Sequence, residues 1–298
     1  MRHFISINDL SKKEILNLID KAIEIKKNIK KYSKVLEGKT LLMIFEKPSV
    51  RTRLSFETGM TQLGGHGIYY HTGESTLGKK ETLADIAKVT SRYADIIMCR
   101  LFSHASMLEF AENSSVPIIN GLDDFLHPCQ VLGDLMTVKE NFGKLDGLKI
   151  AYVGDANNNV THSLMYACNK LGIDLIIGCP NKKEFMPNKE VINPTTKIVH
   201  KAEEAVKDAH IVYTDTWMSY NIDPKKKKER IKSLRPFQVN SKLMSKANKN
   251  AVFMHCLPAK RNDEVTDEVM DGKQSIIIDQ AENRLHIQKA IILWLLGK

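Results

Sequence analysis

Side chains able to hold an anion recur where this chain turns from strand to helix. Ser49-Val-Arg-Thr-Arg53 reads as a helix start, with Ser49 as N-cap and the amides of Val50, Arg51 and Thr52 lacking helical partners. Such a terminus is partly positive and suits phosphate, and Arg51 could add a two-pronged clamp. The same residues also make an ordinary capped helix with exposed arginines, so the pattern alone leaves both readings open. It is not a P-loop, because Gly-x-x-x-x-Gly-Lys is absent. Arg100 closes the apolar run Ile96-Ile-Met-Cys99, where an arginine must reach solvent or meet an anion. His127-Pro128-Cys129-Gln130 opens another helix with proline at its first position. His127 could donate to an anion or a carbonyl oxygen, or simply cap and pack. No other ligand cluster accompanies His127 and Cys129 to make a metal site.

A second group of polar residues suits an amino acid better than a phosphate. Gly154-Asp155-Ala-Asn-Asn-Asn159 follows a strand as a Rossmann turn does, but it lacks the second and third glycines that let a pyrophosphate approach. Its asparagines offer amides to a carboxylate or an ammonium. Asp215-Thr-Trp-Met-Ser219 follows Ile211-Val-Tyr-Thr214, and Asp215 could pair with an ammonium group. His255-Cys256-Leu257-Pro258 ends another apolar run. Consecutive strand residues point to opposite faces, so His255 is poorly placed to activate Cys256. Cys256 is expected to line a pocket rather than attack from it, and to lack an adjacent partner.

The elements that must position these residues alternate along the chain. Ser11-Lys-Lys-Glu14 is a capping box before Ile15, Leu18, Ile19, Ala22 and Ile23 at helical spacing. Strands are expected at Thr40–Phe45, Gly67–Tyr70, Ile96–Arg100 and Pro117–Asn120, with helices from Ser49 to about Leu63, Thr82–Arg92, Ser106–Glu112 and Pro128 to about Asn141. The pattern pauses at Gly143-Lys-Leu-Asp-Gly147 and restarts with strands at Lys149–Val153, Asp174–Gly178, His210–Thr214, Ala251–Cys256 and Ser275–Ile278. A last helix is expected from about Gln280 to Leu296. Short apolar strands alternating with helices imply parallel sheets covered on both faces. The fold class is therefore α/β, with two doubly wound parallel-sheet domains: residues 1–142 with 280–298, and residues 143–279. Ligands bind outside the carboxyl ends of such strands. That is where the residues above lie.

Composition narrows the function classes. The chain has 298 residues, 43% hydrophobic and 27% charged, the balance of a globular protein of about two domains. Its longest apolar run, Ala290–Leu296, falls short of the roughly 20 residues that cross a bilayer. The first residues carry neither a secretory nor a transit signature, so a cytoplasmic location and no membrane partner are expected. Five cysteines at irregular spacing make neither a disulfide framework nor a zinc site. The net charge of +9 comes partly from clusters such as Lys225 to Lys228. These lack the interleaved aromatics that stack on bases, so they read as solvated surface rather than a nucleic-acid interface. A basic field also draws in small anions.

Taken in order, the motifs resemble the aspartate/ornithine carbamoyltransferases, and among them the branch acting on ornithine. The resemblance spans essentially the whole chain. It is carried by Lys47-Pro-Ser-Val-Arg-Thr-Arg-Leu-Ser-Phe-Glu57, Glu81-Thr-Leu-Ala-Asp85, Asn120-Gly-Leu122 and His127-Pro-Cys-Gln130. It continues through Gly154-Asp155, Asp215-Thr-Trp-Met-Ser219, His255-Cys-Leu-Pro258 and Ala281-Glu-Asn-Arg284. The resemblance implies transfer of the carbamoyl group of carbamoyl phosphate to the δ-amine of ornithine, or to another amine such as putrescine or an acylated ornithine. It implies no metal or organic cofactor, a homotrimer or a multiple of trimers, and a last helix packed back on the first domain. Carbamoyl phosphate is then held by Ser49, Val50, Arg51, Thr52, Arg100, His127, Gln130, Cys256, Leu257 and Arg284. Asn159, Asp215, Ser219 and Tyr220 hold ornithine, and Arg100, His127 and Cys256 are the catalytic set.

Some positions depart from the family pattern. Val50 stands for a more usual threonine, which matters little if its backbone amide makes the contact. Thr76 stands where many relatives have a glutamine reaching a neighbouring subunit, so that role is not carried over. Tyr220-Asn221 replaces the usual Met-Gly, on the amino-acid side.

Overall fold

The computed structural model describes residues 1–74, 81–219 and 222–298. Thr76, Tyr220 and Asn221 lie outside the described residues. The chain divides into two compact units: Met1–Met136 with Glu282–Lys298, and Thr137–Ala281.

In unit 1, β1 (Thr40–Phe45), β2 (His66–His71), β3 (Ile96–Arg100) and β4 (Ile118–Leu122) form one parallel sheet in the order β2-β1-β3-β4. Four helices accompany them: α1 (Lys12–Lys27), α2 (Val50–Gln62), α3 (Leu83–Thr90) and α4 (His104–Glu112). Each starts at a serine or threonine whose side chain accepts an orphan amide, and Ser11 with Glu14 forms the expected capping box. Ile44, Ile97 and Cys99 meet Ile86, Met107 and Phe110 in one core cluster. The helix α5 (Pro128–Phe142) starts in unit 1 and ends in unit 2.

Unit 2 carries α6 (Asn159–Leu171), α7 (Ala202–Val206), α8 (Lys227–Leu234), α9 (Ser241–Met244) and α10 (Asp267–Met270). Its parallel sheet holds β5 (Lys149–Val153), β6 (Asp174–Gly178), β7 (Thr196–Val199), β8 (Ile211–Thr214) and β9 (Val252–His255), in the order β7-β6-β5-β8-β9. Val153, Val212 and Phe253 pack with Val199, Ala205 and Val269.

Two local expectations are corrected. β7 has no counterpart in the sequence reading, because an edge strand of Thr-Lys-Ile-Val, bonded only to β6, alternates too briefly to register. Ser275–Ile278 is not a strand: only Ser275 bridges to Phe253, and the last helix α11 (Ile277–Leu295) begins inside that run. The Gln280 amide donates to the Ile276 carbonyl at 2.9 Å, so Ile276 leads into the helix and Ile277 and Ile278 lie in its first turn. Beyond Ala281, α11 packs on unit 1 as expected. Lys26 donates to Asn283 at 2.9 Å, the buried Lys289 donates to Gln62 at 2.7 Å, and the rings of Phe4 and Trp294 meet edge-on. No helix among the described residues is long and apolar enough to cross a membrane.

Candidate active site

The sheet order of unit 1 reverses at β1, whose neighbours are β2 on one side and β3 on the other. At such a switch point the loops leaving the two central strands part and open a crevice. One of these loops leads into α2, and Arg100 ends the other strand, opposite Phe45. Ser49 caps α2, accepting the Thr52 amide at 3.4 Å and donating its hydroxyl to Thr52 Oγ1 at 3.1 Å. Thr52 Oγ1 then gathers both guanidinium groups, Arg100 Nη1 at 3.3 Å and Arg284 Nη2 at 3.4 Å. Arg284 Nη1 donates to Gln130 Oε1 at 2.6 Å, and Gln130 Nε2 donates to Asp134 Oδ1 at 2.8 Å. Thr52, Arg100, His127, Gln130 and Arg284 are all buried, while Val50 and Arg51 stand exposed at the helix end.

The electrostatics of this cluster are those of an anion site. Burial pushes His127 well below the ordinary imidazole value, and the charges of Arg284, Arg100, Lys47 and Arg51 push it the same way. His127 is therefore a neutral imidazole in a field of cations, a donor that adds no charge of its own. Cys129, beside it, is fully buried with its thiol on the Asn120 carbonyl at 3.4 Å, and burial pushes its pKa up to about 12. It is inert.

The switch point of unit 2 lies between β5 and β8. Gly154 leaves β5 with φ +133°, and a Cβ there would crowd the Thr214 hydroxyl at 3.2 Å and the Trp217 indole at 3.3 Å. Only glycine lets the two loops approach this closely. Of the three asparagines, Asn158 is spent on structure: its Oδ1 caps α6 through the Thr161 amide, and its Nδ2 donates to Tyr152 and the Asp155 carbonyl. Asn159, the first helical residue, is half-buried. Asp155 is buried and paired with Arg230, and burial still pushes its carboxyl up to about 6.

Thr214 and His255 are register partners, so Asp215 and Cys256 leave adjacent strand ends together. The Cys256 thiol donates to Asp215 Oδ1 at 3.0 Å, which corrects the expectation that it lacks a partner. Beyond the end of β9 strand alternation no longer holds, and one possible ligand atom each of Asp215, His255 and Cys256 lies within 4.8 Å of the others. In this arrangement the thiol is spent on Asp215, and His255 Nδ1 accepts the Leu257 amide at 2.9 Å. Leu257 has φ +58°, a costly conformation for a leucine that turns the chain sharply after Cys256. Ser219 is half-buried at the end of the Asp215 loop.

Comparison with known proteins matches this layout unit by unit. A model described as the carbamoyl-P binding domain of aspartate/ornithine carbamoyltransferase matches residues 2–140, and one described as its Asp/Orn binding domain matches residues 146–295. The chain belongs to the aspartate/ornithine carbamoyltransferase family. A family member of Halobacterium salinarum named as a catabolic ornithine carbamoyltransferase is 49% identical over 296 residues, 98% of each chain. One of Pyrococcus furiosus, named as anabolic, is 45% identical over 99% of this chain and 96% of that one. Among solved structures, ornithine carbamoyltransferase of Pyrococcus furiosus aligns with a TM-score of 0.94 at 44% identity, over 99% of this chain and 97% of that one. Ornithine transcarbamoylase of Giardia lamblia aligns at 0.91 with 42% identity, over 100% and 98%.

For a member of this family, the structure brings Ser49, Thr52, Arg100, Gln130 and Arg284 into one bonded cluster in unit 1, with His127 in its field. It brings Asp215 and Cys256 together in unit 2 at the ends of β8 and β9, with Ser219 further along the loop after β8 and Asn159 at the start of α6, after β5. Sequence reasoning missed Asp134 and Arg230. Asp134 lies four residues after Gln130, a helical spacing that would have found it; Arg230 sits in a lysine-rich run and gave no signal.

Proposed function

We propose that this chain transfers the carbamoyl group of carbamoyl phosphate to the δ-amine of L-ornithine, giving L-citrulline and phosphate. The observation that carries the reading is the cationic cluster around the neutral His127, formed on a capped helix end in the unit that matches the carbamoyl-P binding domain. The close relatives named above, matched over nearly their full length, support ornithine as the acceptor.

In this reading the amides of Val50 and Arg51 and the side chains of Ser49, Arg51, Thr52 and Arg284 hold the phosphate. Arg100, His127 and Thr52 stabilise charge developing on the carbonyl oxygen as the amine attacks. Gln130 orients the carbamoyl group, and Cys256 and Leu257 complete its surroundings. Asn159, Asp215, Ser219 and Tyr220 bind ornithine, with Asp215 facing an ammonium. Nothing in this scheme requires a covalent enzyme intermediate. Holding an amine against an activated acyl group is itself worth up to about 7–11 kcal/mol.

A homotrimer, or a multiple of trimers, in the cytoplasm belongs to the same reading. Its support is an apolar groove on the β2 edge of unit 1, lined by Leu42, Ile68, Tyr70, Val89 and Tyr93, the last four of them exposed. A second copy of the chain is the natural cover for such a patch.

A ureido assay with carbamoyl phosphate and a panel of amines tests the function. Ornithine should exceed putrescine and acetylornithine by about 10⁴-fold in kcat/KM, because a site built to bond the amino-acid head rejects analogues lacking it. Comparable rates with putrescine would overturn the choice of ornithine.

A further inference from the structure

Arg230 lies on α8 within a run of charged residues, and Lys227, Lys228, Glu229 and Lys232 all face solvent. Arg230 itself is only 5% exposed. Packing explains the difference. Leu234 and Ile231 of the same helix join Trp217 and Phe185 in a small core cluster, which turns Arg230 inward.

The guanidinium meets segments leaving three strands of unit 2. One Nη contacts the Asp155 carboxylate, after β5. Its Nε donates to the Trp217 carbonyl, after β8, at 3.2 Å. The Phe185 ring, after β6, lies 4.8 Å from the guanidinium carbon, and the Phe185 carbonyl accepts the Ala156 amide at 3.1 Å. Glu184 places a second carboxylate 3.7 Å from Nη1. Asp155 in turn moves with the start of α6, because its carbonyl accepts both Tyr152 Oη at 2.9 Å and Asn158 Nδ2 at 2.6 Å. Two of these segments lead to the residues assigned to ornithine: the first to Asn159, and the second spans Asp215 to Ser219.

We propose that Arg230 is the positioning residue of the amino-acid site, its guanidinium fork fixing the spacing between the Asp155–Asn159 and Asp215–Ser219 loops and thereby the affinity for ornithine. The inference rests on the reading of ornithine as substrate. Arginine suits the task because one rigid plane bonds a carboxylate and a carbonyl at once. A lysine keeps the charge beside Asp155 but cannot hold both acceptors in a fixed relation.

Steady-state kinetics of Arg230→Lys test the role, with inhibition by L-norvaline, which is ornithine without its δ-amine, as a second readout. The KM for ornithine and the inhibition constant of norvaline should rise together by about 10–100-fold, the usual cost of losing an outer support. The KM for carbamoyl phosphate should stay within about two-fold, which is the split that a general loss of structure does not give. Should Arg230→Lys fail to fold, the paired variant Arg230→Met with Asp155→Asn removes both charges and reads the same split. Wild-type turnover of ornithine is measured first, and its absence rejects the substrate reading. Its presence, with either an unchanged ornithine KM in the variant or an equal rise in both KM values, rejects the role of Arg230.

Discussion

Gln130 and Arg284, 154 positions apart in the chain, are joined by a hydrogen bond of 2.6 Å. The bond decides which way the Gln130 amide faces. Its oxygen is taken by Arg284 and its nitrogen by Asp134, so the amide plane is fixed before any ligand arrives. Arg284 is held equally, between Gln130 and Thr52.

Arg284→Lys should therefore cost more than its retained charge suggests. A lysine reaches one of the two acceptors, and the KM for carbamoyl phosphate should rise by about 10-fold or more. The ornithine KM, measured at saturating carbamoyl phosphate, should change far less. An unchanged carbamoyl phosphate KM would remove Arg284 from the anion site.

Arg51 makes the opposite case, being exposed at the end of α2. Arg51→Ala should lower kcat/KM by about 10²-fold or more, the scale set by loss of one preorganised donor. Thermal melting should be nearly unmoved, since no packing is lost. Near-normal turnover by the folded variant would leave Ser49–Arg53 as an ordinary capped helix.

Stability should carry a pH signature from His127. Its folded pKa lies well below 6.5, so between the two values the unfolded chain binds the extra proton. Stability from this group is full above 6.5 and is lost as pH falls toward the folded value. His127→Gln should flatten the decline of denaturant midpoint on going from pH 7 to pH 5. Parallel declines in both proteins would contradict a neutral, buried imidazole.

Cys256 is the only half-buried one of the five cysteines, and its thiol donates to Asp215. Cys256→Ser keeps a donor at that point and should retain about a tenth of wild-type turnover. Loss of a true covalent nucleophile costs about 10⁶-fold. A collapse of that size, with the fold intact by circular dichroism, would reinstate Cys256 as a nucleophile.

Much of this could be read from the sequence, and the gaps have physical causes. Ser11, Ser49 and Thr82 announce their helices because a cap acts on its own next turn. The Asp215–Cys256 pair is invisible because it depends on β8 and β9 being neighbours, and strand order is not written locally. Asn157, Asn158 and Asn159 look alike in sequence; the turn of the backbone after Gly154 selects Asn158 as the cap. Arg230 reads as one more surface cation until Leu234 and Ile231 find Trp217. The isoleucines at 276–278 suit a strand or a helix equally, and the 2.9 Å bond from Gln280 to Ile276 decides.

Unit 1 takes its last piece from α11, and Arg284 follows Thr52 by 232 positions. At roughly 5–20 residues per second of translation, the Ser49 turn leaves the ribosome on the order of ten to fifty seconds before the arginine that completes it. Within that interval the rest of unit 1 up to Met136 and then all of unit 2 are made, while Phe4, which Trp294 will meet, and Gly133, which Ile287 will approach, stay uncovered. The nascent chain thus carries an unfinished anion cradle, which can first close only once Arg284, eight residues into α11, has emerged.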